Sequence, residues 1–417
     1  MRKSALLVAL AVAALTAIFV MAGGASANLT GSLFEGNDGN LTVNTAGNKD
    51  WVNAPNLAAG QDLQSGANDN SFGQGTSEND LNVTVVDGSI PNSKADLARF
   101  AVAGETVGAN NFLYLAWTRE NDSGSVNYDF EINKAPQPNL TTLGPKTLVR
   151  TAGDLNISYS FQGNSLTPAL SVRTWTGTAW GAEQSLSGCS EGAGNSGTVS
   201  DILTGSPVNR TTGRFGEAAV NLTCAGITPA GSCEGFSSAY IKSRASQSFQ
   251  SEIKDFIAPV SLSFSNCGAV AITKTTKVPG KTGAQPQAGV AFAVDGVAAG
   301  TTGTDGKLCV GGLAIGNHTV TETVPSGYQA DGDNPKTVNV ATAGTCTSGA
   351  TAVSFANSPL TDVTISVDSK AVGGTASTVN CDDDSLDFTT AASGDGTKTS
   401  GAIAGSKTIT CTITIDP

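Results

Sequence analysis

The chain of 417 residues sets 23 Lys+Arg against 35 Asp+Glu, a net charge of −12, and only 14% of its residues are charged. With no basic stripe, a nucleic-acid partner is excluded. A single histidine rules out HExxH metalloprotease sites and multi-histidine metal cages, and a Ser-His-Asp triad would have to be built around His318. Fifty glycines, few aromatics and 39% hydrophobic residues point to an all-β extracellular protein with enough apolar material for sizeable cores.

Arg2 and Lys3 precede an apolar run over residues 5–21, followed by Ala25-Ser26-Ala27. This is the order of a secretory signal peptide, with cleavage expected after Ala27. An uncleaved anchor is the competing reading, but the run is short of the ~20 residues a spanning helix needs. No lipoprotein cysteine follows, and no later stretch is long enough to span a membrane. The C-terminus lacks a hydrophobic tail with a basic stop. A secreted protein without a membrane span in its mature chain is expected.

Residues 28–267 read as short strands broken by Gly, Asn, Asp and Ser clusters. Leu155, Ile157, Tyr159 and Phe161 alternate with polar residues, as do Tyr128, Phe130 and Ile132, so each set predicts one buried face. Residues 112–117 are apolar on both faces, as in a strand between two layers. Residues 248–257 alone predict a helix, with Phe249, Ile253, Phe256 and Ile257 on one face and Ser248 as cap. A single large β-sandwich or jelly roll fits this length.

Residues 268–360 carry VAITK at 270–274, a DGK turn at 305–307, TETVPSGY at 321–328 and VSFANSP at 353–359. On these motifs the segment resembles the prealbumin-like (SpaA-type, collagen-adhesin B-type) domains of bacterial pilins and adhesins. The resemblance implies a transthyretin-like sandwich. FLYLAWTR at 112–119 and DGSIPNSKADL at 87–97 more loosely resemble β-rich segments that precede such domains in secreted actinobacterial proteins. Residues 361–417 form a small C-terminal β module, with TISV at 364–367 and TCTITI at 410–415.

The resemblance implies an intramolecular isopeptide bond between a first-strand Lys and a last-strand Asn, assisted by a buried Glu. Strand parity selects the residues, because side chains alternate faces. Lys274 shares the inward face of Val270 and Ile272; Glu322 shares that of Val320; Asn357 shares that of Val353 and Phe355. Three polar side chains thus occupy core positions and should meet. Burial favours the uncharged form of each ionisable group, a free amine and a protonated acid. Lys277 has the opposite parity and is expected in solvent. The competing reading is a plain Lys274–Glu322 ion pair, with Asn357 as a turn residue. His318 stands where the family often has an aromatic such as Tyr, and is expected to be a structural, half-buried histidine.

Eight cysteines in an exported chain imply disulfides. Pairing within each region gives Cys309–Cys346 and Cys381–Cys411. Cys189, Cys224, Cys233 and Cys267 allow three connectivities, of which Cys189–Cys224 with Cys233–Cys267 is favoured. No cofactor is required. Loops at residues 36–40, 68–70 and 381–384 offer hard oxygen ligands for Ca²⁺, but none is an EF-hand loop, and Asn and Asp also favour turns. Asn-x-Ser/Thr sequons, as at Asn40, Asn82 and Asn221, matter only in a glycosylating host.

Two function classes follow. One is a secreted, non-enzymatic structural or adhesive protein, whose N-terminal sandwich contacts a matrix, glycan or cell-surface ligand and whose last two modules form a stalk. The other is a carbohydrate-binding or glycoside-hydrolysing protein, with paired acids in a groove and Trp51, Trp117, Trp175 or Trp180 stacking on sugar, although Trp117 reads as core.

Overall fold

A computed structural model describes residues 28–62, 69–88, 96–121, 124–163, 165–229, 232–278, 281–368, 376–391, 394–405 and 407–415. The expected signal peptide lies outside these residues, as do Asn68 and most of the 87–97 segment. The fold is all-β, and among the described residues the helical elements are two short 3₁₀ turns. No described helix is long and apolar enough to cross a membrane.

Two antiparallel sheets build the large N-terminal unit. One runs in the order Ala58–Gln61, Leu97–Val107, Asn110–Arg119, Phe215–Asn221, Ser190–Gly194. The other runs Gln184–Ser185, Ala169–Thr174, Leu155–Phe161, Val126–Asn133, Gly235–Arg244, Ile253–Ser265. Asn110–Arg119 lies inside the first sheet, and its two faces fill two different cores. Leu113, Leu115 and Trp117 meet Tyr128, Phe130, Ile157 and Tyr159 of the second sheet. Phe112, Tyr114 and Ala116 pack beneath Phe34, Leu41 and Trp51 of the N-terminal segment. The ring of Trp117 stands edge-on to Tyr128 at 4.7 Å and to Tyr159 at 5.5 Å. Its cross-strand partner must be glycine, since a Cβ on Gly216 would lie 2.4 Å from the indole.

The helix expected over 248–257 is a turn followed by the long strand Ile253–Ser265. Ser243 pairs with Asp255 and Arg244 with Ile253, so Lys254 is an extra, bulged residue. The bulge flips the parity and puts Ile253 and Phe256 into one cluster with Phe72 and Val85, while Ile257 points into the main core. Apolar residues three apart on one face therefore mimic helical spacing.

In the second unit, the sheet Gln285–Pro286, Gly268–Thr276, Thr351–Val367, Tyr328–Ala330, joined at Gly268–Thr276 by Lys307–Leu313, faces the sheet Val297–Thr301, Ala291–Val294, Gly316–Glu322, Lys336–Val340. Val270, Ile272, Phe292, Val320, Val340 and Phe355 form the core between them. Thr351–Val367 passes through residue 360 unbroken and then pairs with Gly396–Ala404, so one strand serves both the second and third units. The third unit adds the sheet Phe388–Thr389, Thr378–Cys381, Cys411–Thr414.

All eight cysteines are paired, as Cys189–Cys224, Cys233–Cys267, Cys309–Cys346 and Cys381–Cys411. With separations of 30 to 37 residues, each contributes about 3–4 kcal/mol in the chain-entropy account.

Candidate functional site

Gly268–Thr276 lies parallel to Thr351–Val367, with Lys274 opposite Phe355 and Thr276 opposite Asn357. Lys274 and Asn357 are therefore diagonal neighbours on one inward face. The DGK turn holds the lysine's backbone in place. Gly306 accepts from the Lys274 N–H at 2.7 Å with φ +71°, and a Cβ there would lie 2.4 Å from the Lys274 carbonyl. Only glycine closes this turn so tightly.

Glu322 ends the strand Gly316–Glu322 of the facing sheet and is buried in line with Val320 and His318. The Asn334 side chain clamps its backbone, accepting from the Glu322 N–H and donating to the Glu322 carbonyl, both at 2.9 Å.

The three side chains converge in the core, where Lys274 and Asn357 are fully buried and Glu322 is 4% exposed. The Asn357 Nδ2 donates to Glu322 Oε1 at 2.6 Å and to Gln287 Oε1 at 3.3 Å. Lys274 Nζ lies 3.2 Å from the same Glu322 Oε1 but off hydrogen-bond geometry. Lys274 Nζ, Glu322 Oε2 and Asn357 Oδ1 are all buried without a hydrogen-bond partner among the described residues. Each such atom costs about 1–3 kcal/mol. Burial pushes the Lys274 amine below its ordinary range, against the pull of Glu322.

A second buried lysine shows the contrast. Lys242 Nζ contacts Glu78 and lies 2.7 Å from Glu131, which also takes a two-pronged contact from Arg150 at 2.9 Å. Burial opposes its charge, but the two carboxylates outweigh that and hold the amine well above its ordinary range. Lys242 is a fixed cation. Lys274 shares one carboxylate oxygen with an amide and gives up its proton more readily than an exposed lysine.

Lys277, of opposite parity, is 52% exposed and pairs with Asp331 at 2.9 Å. His318 is more buried than expected, at 8% exposure. Its Nδ1 lies 2.6 Å from Asp295 Oδ2 and its Nε2 2.8 Å from the Ala314 carbonyl. Burial disfavours the imidazolium, but these two acceptors outweigh it and hold the pKa above the usual value. Both ring nitrogens are engaged, which gives His318 a structural place. Gln287 and Asn334 were not singled out from the sequence. A Gln between short elements and an Asn in a loop carry no parity signal.

Of the loops offered for Ca²⁺, Asp38 accepts from the Asn40 N–H and the Asn44 side chain, and Glu217 accepts from the N–H groups of Asp38 and Gly39. Asp383 caps a 3₁₀ turn and pairs with Lys407 at 2.8 Å. These are turn-forming roles. The four tryptophans offered as sugar platforms are all buried: Trp51 donates to Glu217, Trp117 is core, and Trp175 and Trp180 carry the Arg150 guanidinium.

No family model and no curated protein matches the chain. Among solved structures it is similar to the Bacillus anthracis TIE protein (16% identity, TM-score 0.26, covering 75% of this chain and half the length of that one). It is also similar to the full-length major pilin SpaD from Corynebacterium diphtheriae (10% identity, TM-score 0.22, 76% and 92% covered). A third is a Mobiluncus mulieris adhesin containing intramolecular disulfide, isopeptide and ester bond cross-links (12% identity, TM-score 0.21, 64% and 92% covered). These overlaps assign no function. The Lys274 cluster stands on its own geometry.

Proposed function

We propose that this chain is an exported, non-enzymatic structural protein of adhesive type. Residues 28–267 meet a matrix, glycan or cell-surface ligand, and residues 268–417 form a stalk hardened by a Lys274–Asn357 isopeptide bond. The observation that carries this reading is the buried meeting of Lys274, Glu322 and Asn357 between the first and last strands of one sandwich. Four disulfides fit an oxidising, extracellular setting.

The chemistry balances within the cluster. The step starts with the pair's shared proton on Glu322: Lys274 Nζ attacks the Asn357 Cγ, and Glu322 gives that proton to the carboxamide oxygen Oδ1 as the tetrahedral centre forms. The amine proton returns to Glu322 and then passes to the departing Nδ2. The Cγ–Nδ2 bond breaks and ammonia leaves, the hydroxyl proton of the tetrahedral centre returns to Glu322 as the carbonyl re-forms, and an Nζ–Cγ amide remains. The event occurs once per chain, so it makes no enzyme.

The two strands are parallel, so a pull on the chain at both ends of the unit shears them past each other. A bond between residues 274 and 357 shields the 83 residues that separate them. The Cys309–Cys346 disulfide already shields 37 of these in either chain, so single-molecule pulling should show an extension short by about 150–170 Å relative to a Lys274→Ala chain. Equal extension of the two would remove the load-bearing role.

A further inference from the structure

From a separate corner of the N-terminal unit we infer a calcium site, formed by Asp62, Asp69 and Asp255. The three come from different segments. Asp62 follows the edge strand Ala58–Gln61, Asp69 precedes the strand Asn70–Phe72, and Asp255 lies next to the bulge in Ile253–Ser265. Each offers a carboxylate oxygen within 4.8 Å of the other two. Asp62 is 8% exposed, and Asp69 and Asp255 are fully buried.

Asp69 separates this cluster from an ordinary group of acids in turns. Both of its carboxylate oxygens are buried and neither makes a well-aligned hydrogen bond among the described residues; the adjacent Asn70 N–H is the one donor near enough to ease its charge. The Asp69 carbonyl is engaged elsewhere, accepting from the Gly88 N–H at 3.1 Å. Asp255, by contrast, accepts from the Leu97 and Phe256 N–H groups at 2.7 Å, which fixes its carboxylate in place. Asp96, also buried, adds a further negative charge nearby. Burial, followed by the repulsion of Asp96, pushes the Asp69 carboxyl up to about 7.

Several acids crowded out of water call for either protons or a cation. The donor set is all carboxylate oxygen, which suits a hard ion and not zinc or copper. Ligands from three segments suit the 6–8 flexible oxygen positions of Ca²⁺ better than the rigid octahedron of Mg²⁺. The ion would tie the edge strand of one sheet to the outermost strand of the other.

The test uses the mature chain, stripped with EDTA and titrated with CaCl₂ by calorimetry and thermal melting. One ion should bind with a Kd of about 0.1–1 mM or tighter. At tenfold excess over Kd the N-terminal transition should rise by about 3–6 °C. MgCl₂ should give less than half this shift. Asp69→Asn should weaken binding at least tenfold while melting, in EDTA, no lower than wild type, because it removes an unpartnered charge. Asp62→Asn should lose the calcium response too. Absence of binding heat with an unchanged melt overturns the site, as does an Asp69→Asn chain that keeps the response. A cluster held together by protons is the remaining outcome. It would show as stability that rises on acidification with no calcium effect, and it also overturns the site.

Discussion

Glu322→Ala should lower the melting temperature of the second unit by about 15–30 °C, while the N-terminal transition stays where it is. The bond would close a loop of 83 residues, from 357 − 274, in which the Cys309–Cys346 disulfide is already nested. Loop closure of the chain left free is worth about 4 kcal/mol by the argument used for disulfides. A unit of some ninety residues moves by about 4–8 °C per kcal/mol. The variant removes one buried unpartnered atom but leaves Lys274 without its carboxylate and Asn357 Nδ2 without its nearer acceptor, and it cannot pass the proton. Differential scanning calorimetry reads the two transitions separately. A shift under 5 °C would contradict the bond. A plain buried pair would also lose about 3–5 kcal/mol with its acid, so the intact mass of the same variant is read beside the melt.

Lys242→Met should destabilise the N-terminal unit by about 3–5 kcal/mol, since it leaves Glu78 and part of the Glu131 charge buried without their cation. Glu131 keeps Arg150, so the loss falls mainly on Glu78. Glu78→Gln in the Lys242→Met background should therefore recover at least half of it. The pH dependence has a definite sign. Burial, ahead of the opposing pull of Lys242, raises the Glu78 carboxyl to about 7 even with the lysine present. A raised acid binds more protons folded than unfolded, so stability falls as pH rises from its unfolded value through the folded one. The variant should recover as pH is lowered toward 5, and urea melts at two pH values decide this. Equal loss at both would place the defect in packing instead of charge.

Parity made the Lys274 cluster legible, because period-two alternation puts residues 270, 272 and 274 on one face whatever the rest of the chain does. The same reasoning found Phe112–Trp117 between two layers. It did not find the Lys242 network, for a definite reason. Tyr128, Phe130 and Ile132 read as the buried face of their strand, which left Asp129, Glu131 and Asn133 for solvent. Yet all eight residues of Val126–Asn133 are buried. Lys242, Arg244 and Arg150 take up the carboxylates of that second face, with Glu78 sharing Lys242, and nothing local to residues 126–133 announces partners supplied from so far along the chain. The bulge at Lys254 misled in the same way, since an inserted residue changes the period without leaving a mark in composition. Asp69 could be seen as an acid in a turn-rich loop, but its company could not, because Asp255 arrives from 186 residues further on.

Intact mass decides the central claim. Mature wild-type protein, corrected for eight hydrogens lost to four disulfides, should weigh one ammonia less than its sequence. Proteolysis should yield one branched peptide joining Lys274 to Asn357, and Glu322→Ala and Lys274→Ala should each restore the full mass with the fold retained. A wild-type chain at full mass, or a Glu322→Ala chain that still lacks ammonia, would contradict the account and leave Lys274 and Glu322 as a buried ion pair.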